Sequence, residues 1–410
     1  MELQFPLILD GATGTQLQKR GYTNEQCAEQ WVLEHPEAIQ DIQKNYVAAG
    51  SNIVYASTFG ANRIKLEGNG IRNQTAAYNT RLVGLSREAV GENAMVAGDI
   101  APTGKFLYPI GDLSFEDLLD VYTEQAQALE QAGVDLFVIE TTMTIPEARA
   151  ALLAVKSVSE KPVFVTFTCD ENGKTLTGTD VVAALVIMQS MGADAVGLNC
   201  SVGPDKMLLQ LERMAQYAQV PLIAKPNAGI PEMVDGKAVY TCTPEEFAAL
   251  VPKMAAAGVG VYGGCCGSEP AHIAALAQAV KQAEIKKPAS KYMDELVAAT
   301  EREVFVLPAD VDCGDVFPCD EDVMDAIEEA EDSEDAVLSI RIEEADELEN
   351  FAEGQYAIVK PLCLHCEDAA LLEQALRLYQ GRALYTGSLS KDELQPLCEK
   401  YGLLVRQRCM

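Results

Sequence analysis

At 410 residues the chain is too long for one ordinary hydrophobic core and too short for three, so its length predicts a large domain and a smaller one. The composition, 48% hydrophobic and 23% charged, is typical of a globular protein and excludes disorder as the main state. A formal net charge of −31 argues against nucleic acids and anionic membranes as partners, because their phosphates would be repelled over most of the surface.

The N-terminal residues run directly into an apolar strand, without the basic segment that begins a secretory signal. Nowhere do 18 uncharged apolar residues follow one another, so no membrane-spanning helix is expected. We therefore expect a cytoplasmic protein, in which the 12 cysteines stay reduced and some are available as metal ligands.

Between residues 5 and 283, a short apolar run followed by a turn and a longer amphipathic segment recurs eight times. The repeat predicts an α/β fold, a (β/α)8 TIM barrel over residues 1–285, with an open flavodoxin-like sheet as the alternative. The predicted strands are Leu7–Leu9, Asn52–Ser57, Met95–Asp99, Leu136–Glu140, Val163–Thr168, Ala195–Asn199, Leu222–Lys225 and Val259–Tyr262.

The chain beyond the barrel has a different composition. Residues 286–308 are predicted to be a linker, and residues 309–410 a small acidic α/β domain with three strand–helix units. Residues 310–350 hold 18 acidic side chains and one basic one, Arg341, which is typical of a solvated helical face.

Three cysteines follow strands whose carboxyl ends meet at the same rim of the predicted barrel. Cys200 follows the sixth strand, and Cys265 and Cys266 follow the eighth within Gly-Gly-Cys-Cys-Gly. Adjacent thiolates on a glycine-rich turn can face one metal, and three thiolates with an open fourth position are typical of catalytic Zn²⁺. Asn227, after the seventh strand, is a candidate fourth ligand when substrate is absent. The alternative is that the cysteines are small buried apolar residues.

A thiolate-rich zinc site favours one kind of chemistry. It binds a substrate thiol as thiolate at neutral pH, and it carries too much electron density to polarise water strongly. The sequence therefore predicts alkyl transfer to sulfur, in which the zinc-bound substrate thiolate is the nucleophile and no protein side chain takes that role.

Other residues at the same rim predict an amino-acid site. Asp10 and Glu140, at the ends of the first and fourth strands, can bind a cationic amine, and backbone N–H groups from Gly11 to Thr15 can bind a carboxylate. Ser57, after the second strand, completes the predicted substrate contacts.

Residues 5–285 contain seven characteristic segments in this order: LDGATGTQL, SNIVYASTFGANRIKL, GDIAPTG, LTGTD, GLNCSVGP, KPNAG and GGCCGSEP. In order and spacing they resemble the homocysteine S-methyltransferases, most closely the N-terminal homocysteine-binding module of cobalamin-dependent methionine synthase. The resemblance implies a zinc-binding barrel in which the three cysteines ligate the metal and homocysteine is methylated to methionine. It also implies that Asp10 and Glu140 bind the amino group, and that Asn227 lies near the metal.

The chain departs from that family in two places. After Glu140 it has Thr141-Thr142, where the family commonly has an aromatic residue or methionine. Residues 355–404 are only weakly similar to a folate-binding barrel, and the polar residues that such a barrel would offer are replaced by His365-Cys366 and Thr386-Gly387, so folate binding is not expected.

The sequence does not distinguish between the possible methyl donors. The main hypothesis is a methyltransferase (EC 2.1.1 class) that receives methyl from a corrinoid protein in trans, so that methylcobalamin acts only through a separate protein. The alternative is a stand-alone enzyme that uses S-methylmethionine or a betaine. An alternative of another class is a non-catalytic zinc- and thiol-binding remnant of a methionine synthase.

Overall fold

The computed structural model describes residues 3–108, 110–234, 237–320 and 323–405, and the chain separates into two compact units. The first unit holds the chain up to residue 177 together with residues 193–289, and the second holds residues 178–192 with the chain from residue 290 onward. No helix in the described ranges is long and apolar enough to cross a membrane.

The first unit contains a parallel eight-stranded sheet and a short hairpin. Its strands are β1 (Leu7–Ile8), β2 (Ile53–Tyr55), β3 (Met95–Ile100), β4 (Leu136–Thr142), β5 (Val163–Phe167), β6 (Ala195–Asn199), β7 (Leu222–Lys225), β8 (Glu232–Val234), β9 (Lys237–Val239) and β10 (Val259–Tyr262).

Helices separate these strands, as the repeat predicts. They are α1 (Gly14–Gln18), α2 (Ala28–Glu34), α3 (Pro36–Ala49), α4 (Arg63–Gly68), α5 (Thr75–Val90), α6 (Phe115–Gln131), α7 (Ile145–Val158), α8 (Val181–Ser190), α9 (Pro204–Met214), α10 (Pro244–Ala248), α11 (Val251–Ala256) and α12 (Pro270–Gln282). By its contacts, α8 belongs to the second unit, and it is buried on all faces because it is apolar all round.

The eight parallel strands form a nearly closed barrel. Their order is β1-β10-β7-β6-β5-β4-β3-β2, so the last strand of the repeat pairs with the first. Between β1 and β2, the N–H of Asn52 donates to the carbonyl oxygen of Ile8 at 2.7 Å. The predicted (β/α)8 barrel is therefore confirmed, and the open flavodoxin-like sheet is wrong.

Alternation along the strands gives the barrel an apolar interior with a polar layer above it. Buried residues such as Val138 on β4 and Ile223 on β7 pack together in the interior. Because side chains alternate along a strand, Glu140 and Lys225, two positions further on, also face inward. The carboxyl end of the barrel is therefore where charged groups gather.

The second unit contains two sheets. Its elements are the strands β11 (Leu296–Ala299), β12 (Val304–Leu307), β13 (Val316–Pro318), β14 (Leu338–Arg341), β15 (Leu362–His365), β16 (Leu384–Thr386) and β17 (Leu404–Val405), and the helices α13 (Val323–Asp332), α14 (Glu347–Gly354), α15 (Ala369–Leu378) and α16 (Lys391–Tyr401), with a 3-10 turn at Gln355–Ala357. Strands β11 and β12 are antiparallel and lie within residues 286–308, the segment predicted as a linker. Strands β13 to β17 form a parallel sheet in chain order, with two more strands than the sequence pattern predicts.

Candidate metal centre

The structure brings the three predicted cysteines together at the carboxyl end of the barrel. Cys200 directly follows β6, and Cys265 and Cys266 follow β10, which is separated from β6 only by β7. The three sulfur atoms all lie within 4.8 Å of one another, and Cys200 Sγ is 3.8 Å from Cys266 Sγ. Within the described ranges, no other group of histidine, cysteine and acidic side chains is arranged to hold a metal.

The spacing of the sulfur atoms fits Zn²⁺. Zinc binds cysteine sulfur at about 2.3 Å in a tetrahedral arrangement, in which two ligands lie about 3.8 Å apart. The Cys200–Cys266 separation of 3.8 Å matches that edge. Three soft thiolate donors select zinc over the oxygen-preferring cations, and three protein ligands leave one position open.

Backbone geometry explains how the sulfur atoms come to face one point. Cys200 and Ser201 have φ values of +62° and +58°, a left-handed conformation that non-glycine residues rarely adopt. The N–H of Cys200 donates to the carbonyl oxygen of Lys225 at 3.1 Å, and that of Cys265 donates to Pro226 at 2.7 Å. These bonds attach both cysteine segments to the end of β7, which lies between them.

Hydrogen bonds among the thiols favour loss of a proton. Bonds from Cys200 and then Cys265 lower the pKa of the Cys266 thiol to about 3, whereas bonding to Cys265 and Cys266 raises the pKa of Cys200. Tyr240 also hydrogen-bonds Cys266, and its ring occupies the space that a side chain at Gly267 would need. The cluster therefore loses its first proton more readily than an isolated thiol does.

A second cluster of charged groups lies in the barrel interior beside the cysteines. The ammonium nitrogen of Lys225 lies 3.7 Å from Asp10 Oδ1 and 3.4 Å from Glu140 Oε2. It also lies 4.2 Å from the centre of the Tyr55 ring. All of these side chains are buried, and the N–H of Tyr55 donates to Asp10 Oδ2 at 2.8 Å.

Three carboxyl groups, those of Asp10, Asp99 and Glu140, share this cluster with one ammonium group, and burial raises the pKa of all three. Burial raises the pKa of Asp10 to about 6, although Lys225 opposes the shift, so Asp10 is ionised at neutral pH. Burial and then Glu140 raise the pKa of Asp99 well above its usual value, and burial also raises the pKa of Glu140, although Lys225 opposes that shift. Burial alone would lower the pKa of Lys225, but Glu140, Tyr55 and Asp10 together raise it, so the lysine is charged.

The remaining predicted substrate residues lie at the same rim. Asn227 is buried, its N–H donates to Val202 at 3.0 Å, and its Oδ1 has no hydrogen-bond partner among the residues that the structure describes. The Thr15 hydroxyl oxygen is buried and likewise has no partner in the described part of the chain. Gly11 packs directly against the Tyr46 ring, and Ser57 is half-buried after β2.

The sequence patterns did not predict three residues of the site, which are Lys225, Asn199 and Tyr240. Alternation along Leu222–Lys225 is a usable signal for Lys225, because it directs this side chain into the barrel. Asn199 also lies at a strand end, immediately before Cys200. Tyr240 follows the β8–β9 hairpin, and no local pattern indicates its contact with Cys266.

Comparison with known proteins agrees with this geometry. Residues 7–280 match the family model described as homocysteine S-methyltransferase. The chain is 32% identical over 300 residues to methionine synthase of Mycobacterium tuberculosis (strain ATCC 25618 / H37Rv), covering 69% of this chain and 25% of that protein. It is 32% identical over 292 residues to methionine synthase of Mycobacterium leprae (strain TN), covering 67% of this chain and 24% of that protein, so it spans about a quarter of each relative.

A solved structure shows the same relationship for the barrel. The metallated form of the homocysteine methyltransferase MmuM from Escherichia coli is 26% identical, with a TM-score of 0.57. The match covers 67% of this chain and 96% of that one. With a family model that matches two thirds of its length, this chain belongs to the homocysteine S-methyltransferase family.

Proposed function

We propose that this protein transfers a methyl group to the thiol of homocysteine and so forms methionine, with zinc held by Cys200, Cys265 and Cys266. The observation that carries the proposal is the pairing of two clusters at one end of the barrel. Three sulfur atoms at tetrahedral spacing lie beside a buried cluster in which two carboxyl groups flank a single ammonium group. A thiol with an ammonium group on the same molecule fits both.

Each protein group has a separate task in this reaction. A Zn²⁺ ion at the cysteines supplies the Lewis acidity that makes a substrate thiol ionise near neutral pH, below its ordinary pKa of about 8.5. Asp10 and Glu140 bind the substrate ammonium, so that two carboxyl groups then face two ammonium groups, that of Lys225 and that of the substrate. The Thr15 hydroxyl, which has no partner in the described ranges, binds the substrate carboxylate, and Asn227 is the fourth ligand that the substrate sulfur displaces.

Methyl transfer then needs no protein nucleophile. The thiol proton leaves to solvent, a sulfur lone pair forms the new S–CH3 bond, and the bond between methyl and donor breaks on the opposite side. The protein contributes orientation, because binding the ammonium and the sulfur at two fixed points aims the remaining lone pair out of the barrel toward the donor.

The loops around this end of the barrel support a carrier protein as the donor. Large apolar side chains are exposed after β3, β5 and β7, all at the carboxyl ends of barrel strands: Phe106, Tyr108, Ile110, Leu176, Ile230, Met233 and Val239. We call these residues the apolar rim. Exposed apolar groups at the mouth of a site are typical of protein docking surfaces. We therefore propose a corrinoid protein supplied in trans as the methyl donor.

A second donor class is supported by a cavity beside the cysteines. A volume of about 610 Å³ is lined by Met143, Leu176, Asp170 and Glu171, and it reaches Ser201, the residue after Cys200. Lys174 also lines it, so the cavity offers carboxyl groups to a methyl-carrying onium group and an ammonium to a carboxylate, as S-methylmethionine and the betaines require. The cavity thus favours this class as the second candidate.

The test of the proposed function is zinc content and homocysteine binding in the wild type and in Cys265→Ala. We expect one zinc per chain by metal analysis, and homocysteine binding with proton release by calorimetry in buffers of different ionisation enthalpy. Cys265→Ala is expected to lose both, because two thiolates and water hold zinc far more weakly than three thiolates.

Cys27→Ala is the matched control, because Cys27 is a half-buried barrel cysteine outside the cluster, and it is expected to keep both properties. A metal-free wild type that binds no thiol under reducing conditions would contradict the proposal. Zinc and homocysteine binding without methyl transfer from any donor would instead favour the non-catalytic remnant.

A further inference from the structure

One side-chain amide joins the end of β4 to the end of β6. Asn199 is buried, and its Oδ1 accepts a hydrogen bond from the N–H of Thr141 at 3.0 Å. Its Nδ2 donates to Thr141 Oγ1 at 2.7 Å and also lies 3.9 Å from Cys265 Sγ, within reach of an N–H···S hydrogen bond. Asn199 therefore contacts both the segment that carries Glu140 and the sulfur cluster.

The backbone that Asn199 contacts is strained. Thr141 has φ +59°, a left-handed conformation that is a genuine outlier for a β-branched residue. The register between β4 and β5 shifts between Ile139 and Thr142, so Glu140 and Thr141 occupy a β-bulge. Bulges direct side chains near functional sites, and strained residues persist only where their surroundings hold them. Asn199 accepts a hydrogen bond from the Thr141 N–H and donates one to the Thr141 hydroxyl, so it holds this residue at both groups.

We propose that Asn199 is a positioning residue that fixes the separation between the Glu140 carboxylate and the cysteine sulfur atoms. In this way it sets the chain length of the amino-acid thiol that the site accepts. The inference rests on the proposed function, in which one substrate places its ammonium at Glu140 and its sulfur at the cysteines. Homocysteine and cysteine differ by one methylene between those two groups, so a fixed separation distinguishes them.

The test compares homocysteine and cysteine binding to zinc-loaded wild type and Asn199→Ala by calorimetry. We expect Asn199→Ala to keep one zinc per chain, to bind homocysteine about tenfold more weakly, and to lose most of its preference for homocysteine over cysteine. The scale follows from the effect of a single methylene on recognition, which is on the order of tenfold or more.

A second substitution separates positioning from general damage. Glycine adopts positive φ without help, so adding Thr141→Gly to Asn199→Ala is expected to restore part of the preference for homocysteine. Asn79→Ala is the matched control, because Asn79 is also a buried amide that joins two segments, through bonds to Ala61 and Thr75, and it contacts neither cluster. It is expected to lower stability and leave the preference unchanged.

The possible outcomes separate a failure of the proposed function from a failure of the proposed role of Asn199. A wild type that binds no homocysteine would contradict the proposed function itself. A wild type that binds homocysteine with proton release, with Asn199→Ala retaining both affinity and preference, would contradict the role of Asn199 alone. Loss of zinc in Asn199→Ala would also overturn the inference, because the residue would then serve assembly of the metal site.

Discussion

Lys225 lies between Asp10 and Glu140 in the barrel interior, where burying two carboxylates without a cation would be very costly. Its own burial is compensated by those carboxylates, which together raise its pKa above the ordinary value. One lysine faces two carboxyl groups, which leaves room for a second cation from a ligand. A pocket of this kind favours a zwitterionic amino acid over a neutral thiol, because only the amino acid brings the missing cation.

The protonation of Asp10 makes a specific pH dependence testable. Burial raises the pKa of Asp10 to about 6, so the carboxyl is ionised at pH 7 and becomes protonated as the pH falls below that value. A substrate ammonium binds the ionised form, so below pH 6 binding must release the Asp10 proton as well as the thiol proton. Homocysteine affinity should therefore rise with pH by about two logarithmic units per pH unit below pH 6, and by about one above it.

Calorimetry between about pH 5.5 and 7.5 measures both slopes, since this range brackets the raised pKa of Asp10 and stays below the ordinary pKa of thiols. In Asp10→Asn the additional proton cannot be released, so the slope should stay near one logarithmic unit per pH unit throughout. A wild-type profile without a change of slope would show that Asp10 does not bind the ammonium in its ionised form.

At the scale of single elements, the close approach of β6 and β7 explains how Cys200 reaches the other sulfur atoms. Gly197 on β6 pairs with Ile223 on β7, and a side-chain carbon at this position would overlap the backbone oxygen and nitrogen of Ile223. Only glycine permits this strand spacing. Three residues after Gly197, the chain reaches Cys200, so the strand spacing and the metal site are linked.

Gly197→Ala is therefore expected to destabilise the barrel by about 3 kcal/mol, the upper range for overpacking, because backbone atoms must move. Gly84→Ala is the matched control: Gly84 lies inside α5 with open space around it, and removal of a helical glycine should stabilise by roughly 0.5–1 kcal/mol. Urea denaturation measures both free energies of unfolding. A Gly197→Ala variant with the same free energy of unfolding as the wild type would contradict the proposed constraint on strand spacing.

The strands of the barrel could be predicted from the sequence, because buried parallel strands have nearly continuous apolar runs, as in Leu136–Ile139 and Val163–Phe167. The convergence of the three cysteines was predictable as well, because strand order in a barrel follows chain order. The bulge at Thr141 and the contact between Tyr240 and Cys266 were not, since both depend on register and on long-range packing. The C-terminal strand β13 was missed because it lies in the acidic run of residues 310–350, which indicated a helical face, and β17 because it has only two residues after the last helix.

At the scale of the whole chain, the net charge acts on a partner protein at long range, whereas the exposed apolar surface acts only at contact. A net charge of −31 keeps the protein apart from other acidic surfaces by long-range repulsion, which salt screens beyond about 10 Å. The apolar rim acts only at contact, where large exposed side chains such as Ile110 (76% exposed) and Met233 (69% exposed) can be buried by a partner. A partner that docks on the rim must therefore be less acidic than this chain, or dock at an ionic strength that screens the repulsion.

The choice between the two donor classes can be tested on the rim itself. We expect Ile110→Ser combined with Met233→Ser to lower kcat/KM with a methylcobalamin-loaded corrinoid protein by roughly tenfold or more, because a few apolar anchors dominate protein interfaces. Homocysteine affinity and the rate with free methylcobalamin should not change, since neither requires docking. Leu209→Ser, at an exposed apolar position on α9, is the control and should leave all three unchanged. The small-donor class would be supported instead if the rate were higher with S-methylmethionine or a betaine than with any corrinoid, and if the rim substitutions did not change that rate. The donor would then bind in the cavity lined by Met143 and Glu171.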